Sequence, residues 1–184
     1  MKYFSSDLGY SGYDDVSKFL SKYSQRDDVL FIASSNGDPR VIEILKSLDI
    51  LQHFHKVYLS YDIEVSKPNK EFFEYILDDL MKNVEVLQNS SREEIFESIW
   101  HIGDELENDL EASGKAGWKS ILIDRQNQFE ELINKKDDES LAKIKLNTTL
   151  QTTNSIHDKV IKLDEKRFVV NNFDQISKII GLDE

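Results

Sequence analysis

Ile99-Trp100-His101-Ile102-Gly103 is an apolar run that opens into Asp104-Glu105-Leu106-Glu107-Asn108-Asp109. A short run that is apolar throughout suits a strand covered on both faces, as in a parallel sheet. Gly103 frees the backbone after that strand, and Asp104 and Asp109 then bracket a tight loop and the start of a helix. Hard oxygen ligands placed this way suit Mg²⁺, which retains waters and takes only a few carboxylates. The same acids also read as an acidic first turn that complements a helix dipole.

Working outward from this stretch, strands and helices alternate. Val16, Phe19, Leu20 and Tyr23 recur at helical spacing, and Val29-Leu30-Phe31-Ile32-Ala33 reads as a buried strand ending in Ser34-Ser35-Asn36-Gly37. Asp38 caps and Pro39 opens a second helix with a buried stripe of Val41, Ile42, Leu45 and Leu48. A short strand follows at Val57-Tyr58-Leu59. A third helix carries Phe72, Phe73, Ile76, Leu77 and Leu80, and Ser91-Arg92-Glu93-Glu94 is the capping-box start of a fourth.

Ser120-Ile121-Leu122-Ile123 is a further strand running into Asp124. The stretch from Asn127 to Lys166 breaks the rhythm with polar runs that offer no buried face, and reads as an insertion. Order resumes with Phe168-Val169-Val170 and a last helix from Phe173 to Ile180, stopped by Gly181. The expected class is α/β, with a mostly parallel sheet covered by helices on both sides in a Rossmann-like three-layer sandwich. One domain is expected across residues 1–184.

The 184 residues carry 35 Asp and Glu against 23 Lys and Arg, a formal charge of -12. Such a surface repels nucleic acid and anionic membranes, so neither is an expected partner, whereas a basic protein is. With no cysteine there is no disulfide framework, thiolate nucleophile or sulfur-bound zinc. No apolar run reaches the roughly 18 residues of a membrane span, and Met1 to Asp7 lacks the pattern of a signal or transit peptide. The expectation is a soluble, intracellular, cytoplasmic protein.

Ligands of open parallel sheets bind beyond the carboxyl ends of the strands. Ser34 to Asp38 lies at such an end and leads into a helix N-terminus; its hydroxyls and amides read either as a cradle for phosphate oxygens or as ordinary helix caps. Lys67, before Pro68 and the third helix, reads either as a solvated lysine or as a cation that neutralises a carboxylate or transferring phosphoryl group. His53 and His55 flank a loop, and His101, inside its strand, reads as a core imidazole satisfied by a neighbour. Trp100 and Trp118 are packing residues.

Taken in order, the strand ending in Ser35-Asn36, the Lys67-Pro68 turn and the Gly103-Asp104 strand end with Asp109 resemble the haloacid dehalogenase superfamily. The resemblance continues through Ala112 to Arg125. It implies that Ser35 hydrogen-bonds a transferring phosphoryl group, with Asn36 beside the substrate and Lys67 as the third-motif lysine. It implies that Asp104 binds Mg²⁺ and that Asp109 binds it or supports Lys67. Metal-dependent phosphatases of the family carry this Gly-Asp-x-x-x-x-Asp form, so the implied reaction is phosphomonoester hydrolysis of a small phosphorylated metabolite through an aspartyl-phosphate.

The family's first motif, an apolar strand ending in Asp-x-Asp, has no full counterpart among these residues; a rival alignment makes Lys2 to Ser6 a short polar strand and Asp7 the nucleophile, with Gly9 in the second aspartate's place. Met1 to Gly12 resembles the return of a cap, and the sequence resembles a family member without its first strand and most of its cap. Inactivity of this chain is therefore expected, with a non-catalytic binding or interaction protein on the same fold as the alternative. The strands ending at Ser35 and Asp104 are expected to lack a common neighbour, to be supplied by Lys2 to Ser6, by Phe168 to Val170 or by a second chain adding a strand.

Overall fold

The computed structural model describes residues 9–129 and 159–183. The chain divides into two compact units, Met1–Ile76 and Leu77–Glu184. Both combine helices with mostly parallel strands, which is the α/β class expected from the alternation. Among the described residues no helix is long and apolar enough to cross a membrane.

In the first unit, helix α1 (Asp14–Tyr23) buries Phe19, Leu20 and Tyr23, residues that share one face at helical spacing. The Phe19 ring meets Tyr23 at 5.0 Å and Phe31 at 5.7 Å between centroids. Strand β1 (Ile32–Ser35) starts later than its hydropathy suggests and takes in both serines. The reason is its partner: after helix α2 (Arg40–Ser47), strand β2 (Lys56–Leu59) pairs with β1 in parallel, with Ser35 opposite Leu59. Ladder geometry, rather than the apolar run from Val29, therefore sets the bounds of β1.

Pro39 takes a helical φ of -54° just ahead of α2, whose stripe of Val41, Ile42, Leu45 and Leu48 is half-buried rather than buried. Short helix α3 (Ser60–Ile63) leaves β2 directly. Helix α4 (Lys70–Asn83) has residues in both units, and its Phe72, Phe73, Ile76, Leu77 and Leu80 are all buried, as their spacing predicts.

The second unit continues with helix α5 (Arg92–Phe96), where Ser91 and Glu94 form both arms of the predicted capping box. Strand β3 (Trp100–Gly103), helix α6 (Ala112–Lys115), strands β4 (Lys119–Ile123), β5 (Val160–Lys162) and β6 (Arg167–Val170) and helix α7 (Ile176–Ile179) follow. The sheet order is β3-β4-β6-β5, parallel except for antiparallel β5. Gly181, at φ +76°, stands just past α7, where the backbone needs a residue without a Cβ penalty.

Two expectations change here. The segment from Phe168 to Val170 is not the missing neighbour of β3, because it pairs with β4 on the side away from β3. The stretch from Asn127 to Lys166 is not polar insertion throughout, because Val160-Ile161-Lys162 forms the edge strand beside β6. Residues 130–158 of that stretch, and residues 1–8 of the segment read as a cap return, lie outside the described residues.

Register explains where the core of this unit sits. Paired residues in a sheet share a face, so Gly103, Leu122, Val169 and Ile161 form one row across four strands. Leu122, Val169 and Ile161 are each 2% exposed and pack with Leu110, Phe129 and Leu163 into one apolar cluster. The row ends at Gly103, which contributes no side chain. His101, two residues earlier, points to the same face and is paired with Ser120.

Candidate active site

At the carboxyl end of β1, Ser35 is half-buried and Asn36 is exposed. The Asn36 side chain turns onto the Lys67 backbone: its Nδ2 donates to the Lys67 carbonyl at 2.8 Å, and its Oδ1 accepts from the Lys67 N–H at 2.8 Å. An amide satisfied in both directions is a fixed brace across 31 residues of chain. The brace ties the turn of Lys67 to the strand end that carries Ser35. Asn36 therefore holds the lysine turn with the same amide that the resemblance placed beside the substrate.

Gly37 is required at the next position. A Cβ there would stand 2.7 Å from Val41 Cγ2 and 3.1 Å from Ser35 Oγ, so any side chain would displace the serine. The Gly37 carbonyl accepts from the Tyr61 N–H at 3.2 Å, which anchors the loop to the start of α3. Beside it lies a cavity of about 700 Å³ bordered by Asn36, Asp38, Arg40, Tyr61, Glu64 and Ser66. Asp38 accepts from the Arg40 N–H at 2.9 Å and pairs with the Arg40 guanidinium at 2.6 Å. That side-chain hydrogen bond holds the Asp38 carboxyl down at about 2. Arg40 and Tyr61 are not among the residues singled out from the sequence, although Tyr61 stands two residues past the end of β2.

In the second unit, Asp104 stands exposed just beyond β3, and Glu105 beside it is also exposed. Asp109 behaves differently. It is 3% exposed, its Oδ1 lies 2.8 Å from His101 Nε2, and its Oδ2 accepts from the Glu105 N–H at 2.9 Å. The chain returns to this position through a π-helical turn, Leu106–Glu111, in which Asp109 and Leu110 both donate their N–H to the Glu105 carbonyl. Ser120 Oγ donates to the Leu110 carbonyl at 3.3 Å, and Ser113 Oγ to the Asp109 carbonyl. A Cβ on Gly103 would collide with the Asp109 carboxylate, so the glycine leaves the space that the carboxylate fills.

The predicted site residues thus fall into two groups. Ser35, Asn36 and Lys67 come together in the first unit, and Asp104 and Asp109 occupy one loop in the second. His101 is the buried imidazole satisfied by a neighbour that its strand position predicts, and the neighbour is Asp109. For Mg²⁺, Asp104 offers an accessible carboxylate, whereas both Asp109 oxygens are engaged within the protein. Among the described residues no group of three or more His, Asp or Glu is arranged to hold a metal ion. One carboxylate with waters fits a weak Mg²⁺ site.

Gly103→Ala is expected to destabilise the second unit by about 1–3 kcal/mol through overpacking against Asp109, measured by urea unfolding; an unchanged midpoint would contradict the packing described. Asp38 gives a pH prediction of definite sign. Its folded pKa lies below the unfolded value, so its contribution is present above the ordinary carboxylate range near 4 and is lost as pH falls through about 2. An NMR titration of Asp38 should show a midpoint near 2, and Arg40→Ala should return it toward about 4.

Comparisons with known proteins bear on the family and the fold. The haloacid dehalogenase-like hydrolase family model matches residues 5–123. The uncharacterized protein YMR130W of Saccharomyces cerevisiae is 35% identical over 181 residues, covering 92% of this chain and 60% of that protein. The chain thus spans less than two thirds of the relative it matches. Among solved structures, the magnesium-bound HAD-hydrolase YfnB from Bacillus subtilis superposes with a TM-score of 0.58 at 15% identity, over 91% of this chain and 54% of that one. A HAD phosphatase from Thermococcus onnurineus gives 0.56 at 17%, over 92% and 58%. The 2-haloacid dehalogenase from Pseudomonas syringae gives 0.55 at 14%, over 94% and 54%. The fold is common to all three, and by the family match this chain belongs to the haloacid dehalogenase-like hydrolases.

Proposed function

We propose that these residues supply the anion-holding and metal-holding parts of a phosphomonoester hydrolase acting on a small phosphorylated metabolite. The observation that carries the reading is the Asn36 brace, which ties the Lys67 turn to the strand end of Ser35. A serine hydroxyl at that strand end and a lysine in the turn tied to it suit a phosphoryl group, the hydroxyl donating a hydrogen bond and the ammonium offsetting charge. In the second unit, taken by itself, Asp104 is the accessible carboxylate that fits Mg²⁺. That carboxylate favours phosphate chemistry over dehalogenation.

These 184 residues contain no apolar run ending in Asp-x-Asp and so offer no attacking carboxylate of the family's first motif. By themselves they are expected to bind without turning over. The acidic composition leaves a basic protein or a strand-adding second chain as the proposed macromolecular partner.

Titration calorimetry with orthophosphate in the presence of Mg²⁺ tests the reading. Lys67→Ala should weaken phosphate binding about 10- to 100-fold, the loss of one charge-assisted hydrogen bond, and Asp104→Asn should weaken the binding of Mg²⁺ itself. Equal binding by both variants and the parent would remove these residues from the site. Robust hydrolysis of an aryl phosphate by the 184 residues would contradict the expectation that they bind without turning over.

A further inference from the structure

We propose that His101 is a positioning residue: by holding Asp109 against the sheet it fixes the Glu105 backbone, and so the loop that presents Asp104. The proposal rests on the reading of Asp104 as the metal-holding carboxylate. The geometry behind it involves the second unit alone.

Asp109 and His101 are 3% and 7% exposed, so neither is solvated enough to stand without a partner. An ionised Asp109 only accepts hydrogen bonds, so this role calls for the imidazole proton on Nε2, which lies 2.8 Å from Oδ1. The other oxygen accepts from the Glu105 N–H, one residue after Asp104. A chain of two hydrogen bonds therefore runs from the sheet face through Asp109 to the loop. Register makes the imidazole available for this role: His101 and Gly103 share a face, one supplying the donor and the other the empty space into which the carboxylate fits. Neither Asp109 oxygen is turned outward, so its contribution to the acidic loop is to shape it.

Two substitutions separate positioning from bulk. His101→Gln keeps an amide donor that reaches about as far as Nε2, and His101→Leu keeps volume but removes the donor. Hydrogen exchange at the Glu105 amide and Mg²⁺ affinity by calorimetry are measured for both, with the Ile121 amide as a control for global opening. The Leu variant should exchange Glu105 at least ten-fold faster than the parent and weaken Mg²⁺ at least five-fold, and the Gln variant should restore both. In the parent, long-range ¹H–¹⁵N spectra should show the Nε2–H tautomer.

Unchanged Glu105 protection in a folded Leu variant, Gln behaving no better than Leu, or the Nδ1–H tautomer in the parent would each overturn the proposal. If the parent binds Mg²⁺ no better than Asp104→Asn, the functional reading fails instead, while the exchange and tautomer measurements still decide the role of His101.

Discussion

A carboxylate buried to 3% exposure is costly unless its oxygens are satisfied, and Asp109 imposes that condition on everything around it. It requires a residue without a side chain at the end of β3, a donor on the same face of that strand and a backbone N–H from the loop that follows. Gly103, His101 and Glu105 meet the three demands. The π-helical turn is the backbone route that brings Asp109 back over the sheet, and Ser120 holds the following carbonyl from the neighbouring strand. Removing one partner leaves a buried charge without compensation, so these residues act as a set.

The strand end at Ser35 is organised by a weaker but analogous device. Asn36 replaces solvent on both polar groups of the Lys67 backbone, fixing a turn whose own sequence offers little to define it. Gly37 again supplies the empty space, this time for the serine hydroxyl and Val41. At both strand ends, then, a polar side chain of the motif braces backbone, and a glycine leaves room for a motif side chain. The motif residues beside these braces are Ser35 and Lys67 in one unit and Asp104 in the other.

Much of this was legible from residue order. The stripe from Phe72 to Leu80, the Ser91 capping box and the strands ending at Ser35 and Asp104 follow from periodicity and from turn chemistry. What was not legible depended on partners distant in sequence. The bounds of β1 follow its ladder with β2 rather than its apolar run. Strand β5 is three residues long inside a polar stretch and becomes a strand only because β6 offers an edge. The Asn36 brace was not legible because nothing in its neighbourhood reveals a bond to a residue 31 positions away. The burial of Asp109 against His101 was not legible because spacing alone does not show a π-helical turn, although the shared face of His101 and Gly103 was a signal within reach.

The sequence has 35 acidic residues, and the account assigns a divalent cation to one of them, Asp104. Paramagnetic broadening of backbone amide signals by substoichiometric Mn²⁺, a stand-in for Mg²⁺, tests that assignment directly. The account predicts broadening centred on the amides of Asp104 and Glu105 that is lost in Asp104→Asn. Broadening spread over the acidic surface, or centred elsewhere and unchanged in that variant, would contradict it.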